Sequence, residues 1–273
     1  MFLKKFILMI LSVFLGFIYP AFAEELNPKD YLASPLARIS TNMFGYNLIA
    51  KTVAKRIIKK ELGKDIKGKY KVKIGSFSGI DLKKGIFKSF ELDGKDLCIC
   101  DEFNLTELNI KTTSEFNYID YSKHPIEFIT DVPMEYSIAI SENDFNKSFK
   151  LDILNILSDA LPFVSFQKIQ FKFEQDKLIL TSGIKLPFGK VIKFSFASKL
   201  KVIDGKIILS DCETSSKKKD FADSIVKIIN NHNILDNISK DIFSDINTKI
   251  SIKNVKIDDG ILKVNGMITL CKG

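Results

Sequence analysis

The sequence predicts an α+β fold in which an elongated, strongly twisted antiparallel β-sheet, or a partly closed barrel, wraps around amphipathic helices. Three observations carry this. Within about the last hundred residues the chain repeats one device, alternating apolar residues on either side of an Asp-centred turn: FKFEQDKLIL, LKVIDGKIIL and VKIDDGILKV. Asp-Gly between period-two hydrophobics is a strong short-range hairpin signal. Ile192, Phe194, Phe196, Leu200 and Val202 share one parity, so one strand there spans about 40 Å, roughly twice the usual length, and long strands twist. Other stretches switch to a helical period, and an amphipathic helix must bury its apolar face against a sheet or another helix.

In chain order, Lys4 and Lys5 precede an apolar run from Phe6 to Tyr19, and Ala21-Phe22-Ala23 puts small residues where signal peptidase reads them. Residues 1–23 are expected to be a signal peptide and Glu24 the mature N-terminus; the competing reading is a retained membrane anchor. Export to a periplasm or cell envelope follows from cleavage. Residues 24–45, with Pro28 and Pro35 and little periodicity, read as a flexible arm, and residues 46–273 as a single domain. From Tyr46 to about Leu62, Ile49, Val53 and Ile57 recur every four residues with Ala50, Ala54 and Ile58 alongside. The other side carries Lys51, Lys55, Arg56, Lys59 and Lys60, and Gly63 is a plausible stop. Such a helix suits either an anionic membrane surface or one end of a sheet, with its basic face in water.

YKVKIGSF, GIFKSFEL, KDLCIC, FNLTELNIK and residues 126–130 read as short strands. Ser141-Glu142-Asn143-Asp144 resembles a capping box, after which Phe145, Phe149, Ile153, Leu154 and Leu157 follow at helical spacing until Pro162. Ile169, Phe171 and Phe173 then alternate with Lys168, Gln170, Lys172 and Glu174, the pattern of a half-buried antiparallel strand. A second helical region is expected from Asp220 to about Asn247, broken near Asn230-Asn231. In the last hairpin Ile250 and Ile252 change parity against Val255 and Ile257, which predicts a bulge near Asn254.

Cleavage of the leader lowers the formal charge from +8 to +6. That excess suits phospholipid head groups and an anionic membrane surface, and export makes nucleic acid the weaker partner. Cys98, Cys100, Cys212 and Cys271 permit disulfides in an oxidising compartment in any of three pairings. A metal site would need soft ligands beyond His124 and His232, so no metal or other cofactor is expected. The chain has no G-x-S-x-G, H-E-x-x-H, phosphate-binding glycine loop or C-x-x-C, and its turn aspartates are explained by turn geometry. No catalytic residue is assigned; the expectation is a protein that is not an enzyme.

The succession ISENDFNKSF, a helix, FQKIQFKFEQDKLILTSGIKL, IKFSFASKLKVIDGKIILSD, a helical stretch and ISIKNVKIDDGILKVNGMITL resembles the LmeA-like phospholipid-binding family. YKVKIGSFSGIDLKKGIFKSFELDGKDL is similar to that family's first strands, so the likeness covers about residues 46–270. It implies a tubular lipid-binding-like fold that holds phospholipid in the envelope. On that reading Phe145, Phe149, Leu154 and Leu157 of the helix face Phe171, Phe173, Phe194 and Phe196 of the sheet, with lipid tails between. The alternatives are that the same residues simply fill one another, that the protein is an envelope assembly factor acting through protein contacts, and that it is an envelope hydrolase, which would require a polar cleft holding an acid and a base within hydrogen-bond reach.

Overall fold

The computed structural model describes residues 31–43, 45–120, 127–185, 191–214, 219–232 and 248–272. The expected leader, the first residues of the expected arm, His124, Lys217-Lys218 and the second half of the last helical region lie outside the described residues. The fold is mixed α+β with antiparallel sheets, and it is laid out as two units of one plan. Each unit is a helix followed by a four-stranded meander.

The first unit starts with α1 (Pro35–Met43) and α2 (Tyr46–Asp65). Its meander consists of β1 (Ile66–Gly75), β3 (Ser89–Ile99), β4 (Phe103–Thr112) and β7 (Val132–Ser141). Short insertions interrupt it: α3 (Gly79–Lys83) and the strands β2 (Ile86–Phe87), β5 (Asn117–Asp120) and β6 (Glu127–Phe128), which form a small sheet of their own. The second unit starts with α4 (Glu142–Ala160) and continues through β8 (Ser165–Glu174), β9 (Lys177–Lys185), β10 (Val191–Ile203) and β11 (Lys206–Thr214). Then α5 (Lys219–Asn231) leads toward a final hairpin, β12 (Thr248–Asp258) and β13 (Ile261–Leu270). That hairpin returns to the first sheet, whose order becomes β1-β3-β4-β7-β13-β12, while the second keeps the order β11-β10-β9-β8.

The three predicted hairpins are present, and each closes with a two-residue loop. The flanking pairs are Glu174 with Lys177, Ile203 with Lys206, and Asp258 with Ile261. Both loop residues have positive φ in every case: 46° and 63° at Gln175-Asp176, 51° and 71° at Asp204-Gly205, 50° and 72° at Asp259-Gly260. These are type I′ values, whose twist matches that of the strands. The long strand is β10, and the bulge expected near Asn254 is the register shift between Ile252 and Asn254. KDLCIC and the end of GIFKSFEL, expected as separate strands, are one continuous β3.

Three sequence expectations are corrected. Among the described residues no closed barrel forms. β1 and β12 end one sheet and β11 and β8 the other, because α4 carries the chain from the first sheet onto a second instead of back to its own edge. β12 runs beside β10 and β11 without a shared ladder. The expected arm is structured from Tyr31 onward. Ser34 Oγ accepts from Ala37 N at 3.3 Å just before Pro35, a helix-start pattern, and α1 follows. The segment before it is pinned: Ala33 N donates to the buried carboxylate of Asp81 at 2.6 Å, and Tyr31 packs on Tyr118 with ring centroids 5.1 Å apart. The third correction concerns the inner face of α2. It consists of Ala54, Ile58 and Leu62, packed on α3 and β1, whereas Ile49 and Val53 of the expected stripe are exposed. The helix also runs past Gly63 to Asp65.

Candidate functional site

The candidate site is the apolar interior around α4, and its walls follow from strand alternation. Phe166, Ile169, Phe171 and Phe173 of β8 are buried on one face, as are Leu178, Leu180 and Ile184 of β9, and Phe194 and Phe196 of β10. The opposing wall is built from the first sheet: Leu105 and Leu108 of β4, Ile138 and Ile140 of β7, and Leu262, Val264 and Ile268 of β13. Helix α4 packs against β8 on one side and against β4 and β7 on the other. Its buried residues, Phe145, Phe149, Ile153 and Leu157, recur every four residues and so form one stripe.

Hydrogen bonds fix the first half of α4 to both walls. Ser141 Oγ accepts from Asp144 N at 3.2 Å, as the capping pattern predicted. Asp144 Oδ2 also accepts from Ser141 Oγ at 2.7 Å and from Thr106 Oγ1 at 2.9 Å, and Ser148 Oγ accepts from Asn104 N at 2.8 Å; these tie α4 to β4. Toward β8, Asn146 Nδ2 donates to Phe171 O at 2.8 Å while its Oδ1 accepts from Phe171 N at 2.9 Å, and Glu142 Oε2 accepts from Phe173 N at 3.2 Å. The opposite edge of that sheet is treated in the same way by α5. Asn230 Oδ1 accepts from Leu209 N at 2.8 Å and its Nδ2 donates to Leu209 O at 2.9 Å. Two helix asparagines thus satisfy the backbone N–H and C=O of one residue on each edge strand of the second sheet, Phe171 and Leu209. The sequence reading missed both; the available signal is a carboxamide on the apolar side of a helix, where it needs a backbone partner.

All eight residues expected to face lipid lie in one apolar core. Seven are buried, and Leu154 is partly buried against them. The structure divides them into two groups. Phe145 is in ring contact with Phe149, Phe171 and Phe173 at centroid distances of 5.0, 5.3 and 5.4 Å, and Phe149 reaches Phe103 at 5.9 Å. Such edge and tilted contacts are favourable beyond area burial. Phe194 contacts Phe196 at 5.8 Å and Phe221 of α5 at 5.1 Å. Ile153 and Leu157 in the second half of α4 are buried; packed against the core but only partly buried are Leu154, Ile156, Leu161 and Val164 at the end of α4, Phe103 on β4, Leu200 and Val202 on β10, and Ile250 on β12.

Polar features lie elsewhere. A depression of about 470 Å³ opens on the outer face of the first sheet, floored by Gly94 and Ala139 and rimmed by Lys69, Lys71, Asp93, Lys95 and Glu107. Its charges largely answer one another, with Lys95 on Glu107 at 2.9 Å and nearby Lys73 on Asp93 at 3.2 Å. Burial pushes the Asp93 carboxyl up, but the hydrogen bonds from Lys73 and Asn109 outweigh it and hold the group below its ordinary value. None of the four cysteines is in a disulfide, and burial pushes the Cys212 thiol up. His232 is exposed, its Nδ1 2.9 Å from Ile228 O. No group of three metal-ligating side chains occurs among the described residues, and none of their helices is long and apolar enough to cross a membrane.

No family model, curated protein or solved structure matches this chain.

Proposed function

We propose that this is an exported cell-envelope protein that binds phospholipid, or a similar acyl-chain lipid, and carries it without performing chemistry on it. One observation supports the reading above the others. The interior around α4 is lined mainly by apolar side chains, with Ser182 and Ser198 buried among them on β9 and β10, and Leu154, Ile156, Leu161 and Val164 at the end of α4 are packed on it but only partly buried. An acyl tail would enter at that end, beside Leu154 and Leu157, toward Phe194 and Phe196 under α5. The resemblance of the motif order to the LmeA-like family is the other ground for this reading. Each methylene removed from water contributes about 0.8 kcal/mol, so a single long tail offsets much of the cost of leaving a bilayer.

The ring packing around Phe145 favours a second reading, an envelope scaffold or assembly factor acting through protein contacts. One experiment separates the two. The purified protein is extracted with organic solvent and its lipids are weighed by mass spectrometry, before and after incubation with phospholipid vesicles. Near-stoichiometric phospholipid is the expected result; its absence in both samples would falsify the carrier reading.

A further inference from the structure

The outer surface of α1 and α2 gathers exposed apolar side chains and cations in one place. Among the described residues, six of the ten most exposed large apolar side chains lie between residues 36 and 53: Leu36, Ile39, Tyr46, Leu48, Ile49 and Val53. From Pro35 to Lys60 the sequence carries six cations, Arg38, Lys51, Lys55, Arg56, Lys59 and Lys60, and no acid. The inner face of α2 is held by Ala54, Ile58 and Leu62, so the helix cannot roll to hide the outer one.

Along that outer face the chemistry changes with height. At 100° per residue, Leu48, Ile49 and Val53 share a sector with Arg56, Lys59 and Lys60, all exposed. The first two turns are therefore apolar and the next two basic, separated by about 12 Å from Leu48 to Arg56 at 1.5 Å per residue. A helix lying flat in a bilayer interface would carry its apolar and basic residues on opposite sides instead. This arrangement suits one that enters end-on, its apolar tip sunk by about 5–10 Å and its basic turns level with the phosphates. A second copy of the chain would bring six cations against six, which argues against self-association through this face.

We propose that α1 and α2 form a membrane-docking tip, with Leu36, Ile39, Leu48, Ile49 and Val53 entering the outer layer of an anionic bilayer and the cations that follow gripping its phosphates. The inference stands apart from what the interior holds. If both hold, the tip brings a lipid-binding body to a lipid source.

The test uses the protein as recovered after export, with its first residue read by mass spectrometry. It is sedimented with vesicles of phosphatidylcholine alone or mixed with phosphatidylglycerol, at low and high salt. Binding is expected to require the anionic lipid and to weaken with salt. Leu48→Ser with Val53→Ser, and separately Lys59→Glu with Lys60→Glu, should each weaken binding by about tenfold or more. Lys172→Glu with Lys193→Glu, on exposed sheet positions, should leave it unchanged. Thermal unfolding of each variant controls for the fold. Equal binding by all variants, equal binding to neutral vesicles, or a dimer that Leu48→Ser with Val53→Ser turns into a monomer would each overturn the proposal. Copurified lipid is measured on the same samples, so failure of the docking tip and failure of the lipid-binding interior are read independently.

Discussion

Helices α2 and α4 open two units of the same plan, yet they meet opposite fates. Helix α4 lies between two sheets, so both of its flanks have partners and its apolar stripe is buried from Phe145 to Leu157. Helix α2 packs on β1 and α3 with α1 beside it, faces no second sheet, and buries only Ala54, Ile58 and Leu62. The same local pattern, apolar residues every three or four positions, therefore yields a core rod in one place and a half-dressed surface helix in the other. What decides is the number of walls, a property of topology and not of the helix. The starts differ in the same sense: α4 has the Ser141 cap, whereas α2 follows Gly45 at φ 67° with no side-chain cap.

Truncation should expose the contrast most strongly. Phe145→Ala removes the hub of the ring cluster and should cost about 3–5 kcal/mol, whereas Leu48→Ala should stay within about 0.5 kcal/mol of the parent. Chemical denaturation measures both, and similar costs would break the comparison. Leu62→Ala sharpens it from the inner face of α2, where about 2–4 kcal/mol is expected because that side chain is fully enclosed.

Smaller effects should follow the polar ties. Asn146→Ala strands both backbone groups of Phe171 and should cost about 1–3 kcal/mol. Asn47→Ala, which loses one bond from Gly79 N to α2, should cost about half as much. Equal losses would mean that α2 is as firmly tied as α4. The weakest effect is expected from pH. Hydrogen bonds from Lys201 hold Asp211 below its ordinary value on the second sheet, and those from Lys263 and Lys256 do the same for Asp258 on the first. A carboxyl lowered in the folded state stabilises above its unfolded value, about 3.9, and the benefit is lost as pH falls through the folded value. The melting temperature should be flat from about pH 5 to 8 and fall below about pH 4. Because both carboxyls face solvent on the sheet surface and their lysine partners are screened, the drop should be slight.

What could be read in the sequence was local. The type I′ turns, the Ser141 cap, the alternation in β8 and β10 and the bulge at Asn254 each depend on a few adjacent residues whose chemistry admits few conformations. Helix α1 has a local signal too, since Ser34 caps and Pro35 suits a first helical turn, but two prolines within eight residues point equally to irregular structure. The partition into two sheets was not readable, because it depends on where α4 delivers the chain. Nor was the outward turn of Ile49 and Val53, since the sequence offers two adjacent apolar stripes on α2 and only the shape of the β1 surface chooses between them. At the candidate site the eight residues fall in one core, but their division into two ring groups depends on Phe103 of β4 and Phe221 of α5, which the sequence did not connect to them.

The position of β13 in the first sheet has a consequence for biogenesis. Strand β7 is complete by Ser141, but the neighbour that covers its free side, Val132 against Leu270 through Ser141 against Ile261, is made about 120 residues later. Until then a nascent chain carries a bare, apolar-faced strand border, the sort of template that captures other strands. A chain ending before residue 248 should therefore collect in the insoluble fraction instead of surviving as a shortened protein, and chaperone protection should matter most while the final hairpin is still being synthesised.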